Sequence, residues 1–283
     1  MRNIALLFLL AAVSGCVGQT DFGSPGLSIA SFKSDLETAY AGEELSIELR
    51  LDNSGDVPAK IDSIEILGIK LEDWLVSSTC DSLKGFMLPP KNFINCVYKL
   101  QAPDVPEGLK GTYRPKARVT YEYRTISATS IFIGPSADIR RIDDIKSLPS
   151  KKETTLSPVA IDVEARNPIR LSQGSVSFPV AIKIINRGGG VICNGPCNPG
   201  TWHKITLRIT SSSNVRVEGE SCGQDASGRI LTLYKGQENE LICSLIATPS
   251  ASGTGESLII VESDYGYITE RETAITVSKR AFA

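Results

Sequence analysis

Leu45-Ser46-Ile47-Glu48-Leu49-Arg50-Leu51 alternates apolar and polar side chains and runs directly into Asp52-Asn53-Ser54-Gly55. Successive side chains of an extended chain point to opposite faces, so this pattern predicts a strand with one face in a core. The adjoining Asn-x-Gly predicts a tight hairpin turn. A second stretch does the same, for Val180-Ala181-Ile182-Lys183-Ile184-Ile185 ends in Asn186-Arg187-Gly188.

Around these stretches the two halves of the chain punctuate themselves alike. Each continues into another alternating strand, Ile61 to Ile66 or His203 to Ile209, and then a cysteine pair, Cys80 with Cys96 or Cys222 with Cys243. Each reaches a proline, Pro103 or Pro249, and a closing hairpin with Tyr121-Glu122-Tyr123 or Tyr265-Gly266-Tyr267. The offset between equivalents grows from 133 at Asn53/Asn186 to 142 at Cys80/Cys222 and 147 at Cys96/Cys243. Most of the first insertion therefore falls between Asn186 and His203, around Gly188-Gly189-Gly190 and Cys193-Asn194-Gly195-Pro196-Cys197.

Short strands of period two, regular turns and little helical periodicity predict an all-β chain of two tandem immunoglobulin-like antiparallel β-sandwiches. Residues 27–133 are expected to form the first and 156–283 the second, with 134–155 as connector. Within the connector Ser136 is a candidate cap for a short helical turn placing Ile139, Ile142 and Ile145 on one side. A loop in the groove between domains is the equal alternative.

The chain is 41% hydrophobic and 22% charged, a composition that packs into cores. Its 283 residues leave room for two. With 30 basic and 32 acidic side chains the formal net charge is -2, and no excess of cations is present to neutralise phosphates. Nucleic acid is not an expected partner.

Arg2, the apolar run Ile4 to Val13, and Ser14-Gly15-Cys16 form an export signal. The run is about half the roughly 20 residues that a membrane-spanning helix needs. Val13-Ser14-Gly15-Cys16 resembles a lipobox, the cleavage motif of lipoproteins. That resemblance implies removal of residues 1–15, a diacylglycerol on Cys16 and membrane anchoring on the extracytoplasmic side, at the cell surface or in the periplasm. Residues 16–26 would then be a flexible lipidated tether.

Leu51-Asp52-Asn53-Ser54-Gly55-Asp56-Val57-Pro58-Ala59-Lys60 is similar to the strand-turn-strand signature of cell-surface immunoglobulin-like modules of the CARDB and archaeal S-layer-associated kind. The likeness covers mainly the first half. It implies adhesive or spacing elements.

Setting Cys16 aside leaves six cysteines in three local pairs, and export places them in an oxidising space. Cys80–Cys96, Cys193–Cys197 and Cys222–Cys243 are the expected disulfides, the first and third because they occupy corresponding places in the two halves. A metal site from Cys193, Cys197 and His203 is the sharper alternative, but a fourth ligand is missing, so no metal and no cofactor are expected.

His203 is the sole histidine, no Gly-x-Ser-x-Gly elbow occurs, and no glycine-rich loop leads into Lys-Ser or Lys-Thr. An enzyme is therefore not expected. Asp52 to Asp56 lacks the spacing of a calcium loop, and Asp138, Asp143 and Asp144 sit among Arg140, Arg141 and Lys146. The tyrosine pairs suit either a stacking platform for sugars or, more simply, a filling for the sandwich end that bonds a neighbouring turn. Trp74 and Trp202 occupy unmatched places, so one of them is a candidate for exposure.

Since the first half makes its sandwich without the insertion around Cys193 to Cys197, that loop is expected to belong to neither core. Val191, Asn194, Pro196, Pro199 and Trp202 are its candidate partner contacts; covering a sheet edge or the junction is the competing role. The functional expectation is a non-catalytic, membrane-anchored surface lipoprotein that adheres, scaffolds or spaces, through a cell-surface protein or glycan. A carbohydrate-binding accessory protein is the alternative.

Overall fold

The computed structural model describes residues 25–141, 151–172, 174–218, 222, 228–249 and 253–279. Cys16 and the rest of the signal and most of the tether lie outside the described residues, as do Ile142 and Ile145. Chain order in the first half is β1 (Leu27–Ser34), β2 (Thr38–Tyr40), β3 (Glu44–Asn53), β4 (Ala59–Leu67), α1 (Leu71–Trp74), β5 (Leu75–Ser78), a 3-10 turn (Cys80–Leu83), β6 (Met87–Leu88), β7 (Asn92–Gln101), β8 (Lys110–Tyr113) and β9 (Lys116–Pro135). Next come α2 (Ser136–Arg140), β10 (Lys152–Thr154), β11 (Val159–Ala165), β12 (Ile169–Leu171), β13 (Val176–Asn186) and β14 (Val191–Cys193). The chain continues with β15 (Lys204–Ser211), β16 (Val215–Glu218), β17 (Arg229–Thr232), β18 (Glu238–Ala247), β19 (Gly255–Glu272) and β20 (Ile275–Ser278).

The fold is all-β and sandwich-like, as the alternation predicts. Two four-stranded sheets, β1-β3-β7-β5 and β11-β13-β18-β16, have the same order and the same antiparallel pairing. Leu45, Ile47, Leu49 and Leu51 of β3 and Phe178, Val180, Ile182 and Ile184 of β13 face inward and are buried. Between Asn53 and Ala59 the chain leaves the sheet of β3 for that of β4, so this Asn-x-Gly turn is a crossover between sheets and not the hairpin expected from its sequence.

The larger departure concerns the expected closing hairpins. Tyr121-Glu122-Tyr123 and Tyr265-Gly266-Tyr267 lie in the middles of β9 and β19, which pair antiparallel from Gly255↔Ile133 to Glu272↔Lys116. That pairing joins the two halves into one sheet, ordered β6-β4-β9-β19-β15-β17, with β10 and β12 also on β9 and β14 also on β19. In register, Tyr121 faces Tyr267, Tyr123 faces Tyr265 and Glu122 faces Gly266. Shifting each β9 residue by 144 gives its β19 counterpart, so a local two-fold axis passes between Glu122 and Gly266.

Each half thus completes its sheet with the far end of the other's long strand. The exchange is reinforced at the edges. β20, at the end of the second half, pairs with β2 and β8 of the first, and Arg271 donates to the Ile29 and Ala30 carbonyls at the β1 bulge, 2.8 and 2.7 Å away.

The connector contains a helix, but not the one its sequence suggested. Pro135, not Ser136, occupies the N-cap of α2; Ser136 Oγ donates to the Leu171 carbonyl instead, and Ile139 is buried. β10 then lies along β9 at Ser127 to Thr129.

Candidate binding surface at the shared sheet

The four central tyrosines share one face of the shared sheet because cross-strand partners and alternate residues point the same way. Tyr121 and Tyr267 have ring centroids 5.5 Å apart, and Tyr123 and Tyr265 are 6.4 Å apart. Their hydroxyls reach the turns on either side of the axis. Tyr121 Oη donates to the Leu27 carbonyl at 2.8 Å, while Tyr265 meets Thr125 Oγ1 at 2.9 Å and the Val159 backbone. Tyr123 Oη donates to Asn53 Oδ1 at 3.4 Å, and Tyr267 Oη to Asn186 Oδ1 at 2.6 Å.

These bonds explain the Asn-x-Gly signature. Asn53 Nδ2 donates to the Val57 and Leu88 carbonyls, and Asn186 Nδ2 donates to Gly190 and Gly236. A Cβ on Gly55 would collide with the Tyr123 hydroxyl, and one on Gly188 with that of Tyr267. Asparagine ties the turn, tyrosine braces it, and glycine leaves room for the brace. Burial pushes the Tyr123 and Tyr267 hydroxyls up to about 12 and raises those of Tyr121 and Tyr265 as well. All four are core residues, so they offer no stacking platform to a sugar.

The opposite face of the shared sheet is ionic. Arg118 pairs with Glu270 at 2.6 Å, Arg124 with Glu262 at 2.9 Å and with Asp264 at 3.3 Å, and Lys60 with Glu122 at 3.1 Å. Arg208 pairs with Glu262 at 3.2 Å and also with Asp264. At the axis this face opens into a cleft of about 430 Å³ between Pro58, Lys60 and Met87 on one side and Gly195 and Pro196 on the other.

Register shows where the insertion enters. Cys193↔Gly266 is equivalent to Lys60↔Glu122, still at an offset of 133. Arg208↔Glu262 is equivalent to Glu65↔Arg118, at an offset of 143. Ten residues have entered the middle of a strand, splitting it into β14 and β15. Ile192 and Cys193 are buried in the shared sheet, which corrects the expectation that the whole insertion lies outside the cores.

Of the candidate contacts, Val191 belongs to β14, whereas Pro196 and Pro199 are exposed and Asn194 is half-buried. Trp202 is 37% exposed, while Trp74 is 3% exposed against Tyr113. The exposed tip is braced from within. Thr201 Oγ1 donates to the Pro196 carbonyl at 2.7 Å, Gly200 N donates to Asn198 Oδ1 at 3.0 Å, and Thr206 Oγ1 donates to Asn194 Oδ1 at 2.7 Å.

Cys80–Cys96, Cys193–Cys197 and Cys222–Cys243 are disulfides. Their repeat relation is looser than the sequence offset suggested. Since Leu45↔Leu100 matches Phe178↔Leu245, the counterpart of Cys96 is Leu241, and Cys243 stands where the first half has Tyr98. The bridges serve the same strand from positions two residues apart on one face.

The disulfide between Cys193 and Cys197 removes both thiolates that a metal site would need. His203 packs against Gly236, and its buried Nδ1 has no hydrogen-bond partner among the described residues. The suspected calcium oxygens in the first turn are engaged: Asp52 pairs with Arg50, and Asp56 pairs with Lys91 and accepts from Leu156 N. These engagements, with the backbone amide and the Lys91 hydrogen bonds acting most strongly, hold the Asp56 carboxyl below its usual range. Asp143 and Asp144 lie outside the described residues.

No family model matches the chain, and no curated protein matches it. Among solved structures, a secreted serine protease from Vibrio cholerae, VesC, is 12% identical with a TM-score of 0.22, over 88% of this chain and 50% of that one. Escherichia coli alpha-2-macroglobulin activated by porcine elastase is 8% identical with a TM-score of 0.23, over 90% of this chain and 33% of that one. The chain spans about half and one third of the lengths of these proteins, and likeness at this level carries no argument about activity.

Proposed function

We propose that this chain is a lipid-anchored, non-catalytic surface protein, a rigid body that spaces and presents the loop tip at residues 194–202 to a cell-surface partner. The observation that carries this reading is the split strand: ten residues leave the shared sheet at Cys193, form a disulfide-closed and internally bonded tip, and return. A preorganised tip loses little freedom on binding, which favours contact through it. Beside it lies the axial cleft, where apolar Pro58, Met87 and Pro196 surround paired charges, the mixed character of a protein interface.

Three disulfides agree with an oxidising, extracytoplasmic setting. Among the described residues no helix is long and apolar enough to cross a membrane, so in this reading the lipid on Cys16 provides the attachment. The likeness of residues 51–60 to adhesive or spacing modules of the CARDB and S-layer-associated kind supports the same reading. The buried His203 nitrogen and the oxidised cysteine pair support the non-catalytic assignment.

The test has two arms. Cys16→Ser should move the protein from the detergent to the aqueous phase; unchanged partition contradicts the anchor. Replacing residues 194–201 by a Gly-Ser link should leave the sheet folded while abolishing attachment to the surface of the producing cell. Attachment unaffected by that replacement contradicts the presenting role of the tip.

A further inference from the structure

On the solvent face of each four-stranded sheet, beside the Asn-x-Gly turn, lies a hollow that the anchoring and loop roles leave unused. In the first half Arg50, Asp52, Lys91, Asn92 and Phe93 line a hollow of about 230 Å³. Phe93 is 52% exposed, with the Arg50 guanidinium 4.1 Å from its ring centroid. In the second half Lys183, Tyr234, Lys235, Glu238, Asn239 and Glu240 line one of about 730 Å³. Tyr234 is 69% exposed, with Lys235 Nζ 5.3 Å from its centroid.

Register places the two hollows at the same corner of the repeat. Lys183 is the counterpart of Arg50, and Glu238, opposite Ile185, is the counterpart of Phe93, opposite Asp52. The aromatic ring has moved from the strand to the preceding turn, yet each corner keeps an exposed ring beside a cation. The central tyrosines all point from one face of the shared sheet to Leu27, Asn53, Val159 and Asn186. Both four-stranded sheets therefore lie on that side, and both hollows open outward from it, next to the junction.

We propose that these hollows form a bivalent site for a neutral glycan, each seating one pyranose. An exposed aromatic ring presents a flat apolar face to the C–H face of a sugar, while flanking amide and charged groups bond its hydroxyls. Charge balance selects a neutral ligand. Lys183 and Lys235 are matched by Glu238 and Glu240; Arg50 is paired with Asp52 at 2.8 Å, and Lys91 with Asp56 at 3.1 Å. Neither corner has surplus charge to hold a uronate or an amino sugar. Two seats on one side of a body joined by a continuous sheet raise the affinity for a polymer through effective concentration.

Affinity electrophoresis of the full-length protein in mild detergent tests this, with gels containing a soluble glucan, a mannan, a galactan or polygalacturonate. Retardation is expected in at least one neutral gel and not in the acidic one. Phe93→Ala and Tyr234→Ala should each weaken it about fivefold to tenfold, and the double variant should abolish it. Ile242→Ala, an exposed residue of β18 outside both hollows, should behave as the parent protein. No retardation in any neutral gel, retardation in polygalacturonate alone, or retardation that survives in the double variant overturns the proposal. The site is independent of the lipid anchor, so Cys16→Ser should be retarded like the parent.

Discussion

In the first half the chain runs from Ala59 through Lys60 and Ile61 along β4 with only a bulge, whereas in the second the equivalent of Lys60 is Cys193, where the chain leaves the sheet. Up to the break the two halves are alike, each with asparagine, glycine and a bracing tyrosine from the shared strands. Beyond it they differ, and even the order of charges across the strands is reversed, Glu65 opposite Arg118 becoming Arg208 opposite Glu262. The turn lock is thus the part of the repeat that the sheet requires, and the strand past the lock accepts an insertion once a few residues have secured the edge.

Removing the lock should have the largest effects, and unequal ones. Asn53 is buried and serves Val57, Leu88, Pro89, Gly55 and Tyr123, so Asn53→Ala strands several polar groups and should cost about 3 kcal/mol in urea unfolding. Asn186 serves fewer groups and is less buried, so Asn186→Ala should cost about 2 kcal/mol. Equal costs would show that the halves depend on their locks alike.

Gly55→Ala and Gly188→Ala should each destabilise by about 1–3 kcal/mol through overpacking against the tyrosine hydroxyl. Tyr123→Phe and Tyr267→Phe respectively should recover part of that loss, since the colliding oxygen is gone. If the double variants show only additive losses, the glycines are needed for some other reason.

Alkali should act on both halves together. The Tyr123 and Tyr267 hydroxyls are raised from 10.0 to about 12 in the folded protein, so at pH values between these the unfolded chain has released protons that the folded one retains. The stability they contribute is full below pH 10 and is lost as pH rises toward 12. The part of the tyrosinate absorbance that the Tyr123→Phe and Tyr267→Phe substitutions remove should therefore rise with unfolding and not before it. The smallest effect is expected on the ionic face, where Arg118→Ala should cost under about 1 kcal/mol and less in high salt, because its partners are solvated.

Much of this was legible in the sequence: the repeat, the strands flanking Asn53 and Asn186, the cysteine pairs and the link between tyrosines and turns. The shared sheet was not, because alternation shows which face a strand buries but not which edge it pairs with. One signal was present. From Ala117 to Ile133 the chain holds no glycine, proline, asparagine or aspartate, which is a strand without a turn. In β19 the sequence Asp264-Tyr265-Gly266 imitates a turn, but Gly266 is there because the Gly195 carbonyl and Cys197 Sγ press on it from the inserted loop. Likewise sequence offsets aligned Cys96 with Cys243, and only strand register reveals the two-residue shift.

Through β9 and β19 the halves form one cooperative body. Trp74 alone, in a Trp202→Phe background, reports unfolding of the first half, and Asn186→Ala destabilises the second. Asn186→Ala should then move the Trp74 unfolding midpoint as far as it moves the loss of strand signal by circular dichroism. A Trp74 midpoint that stays where it was, with a separate earlier transition for the second half, would contradict it.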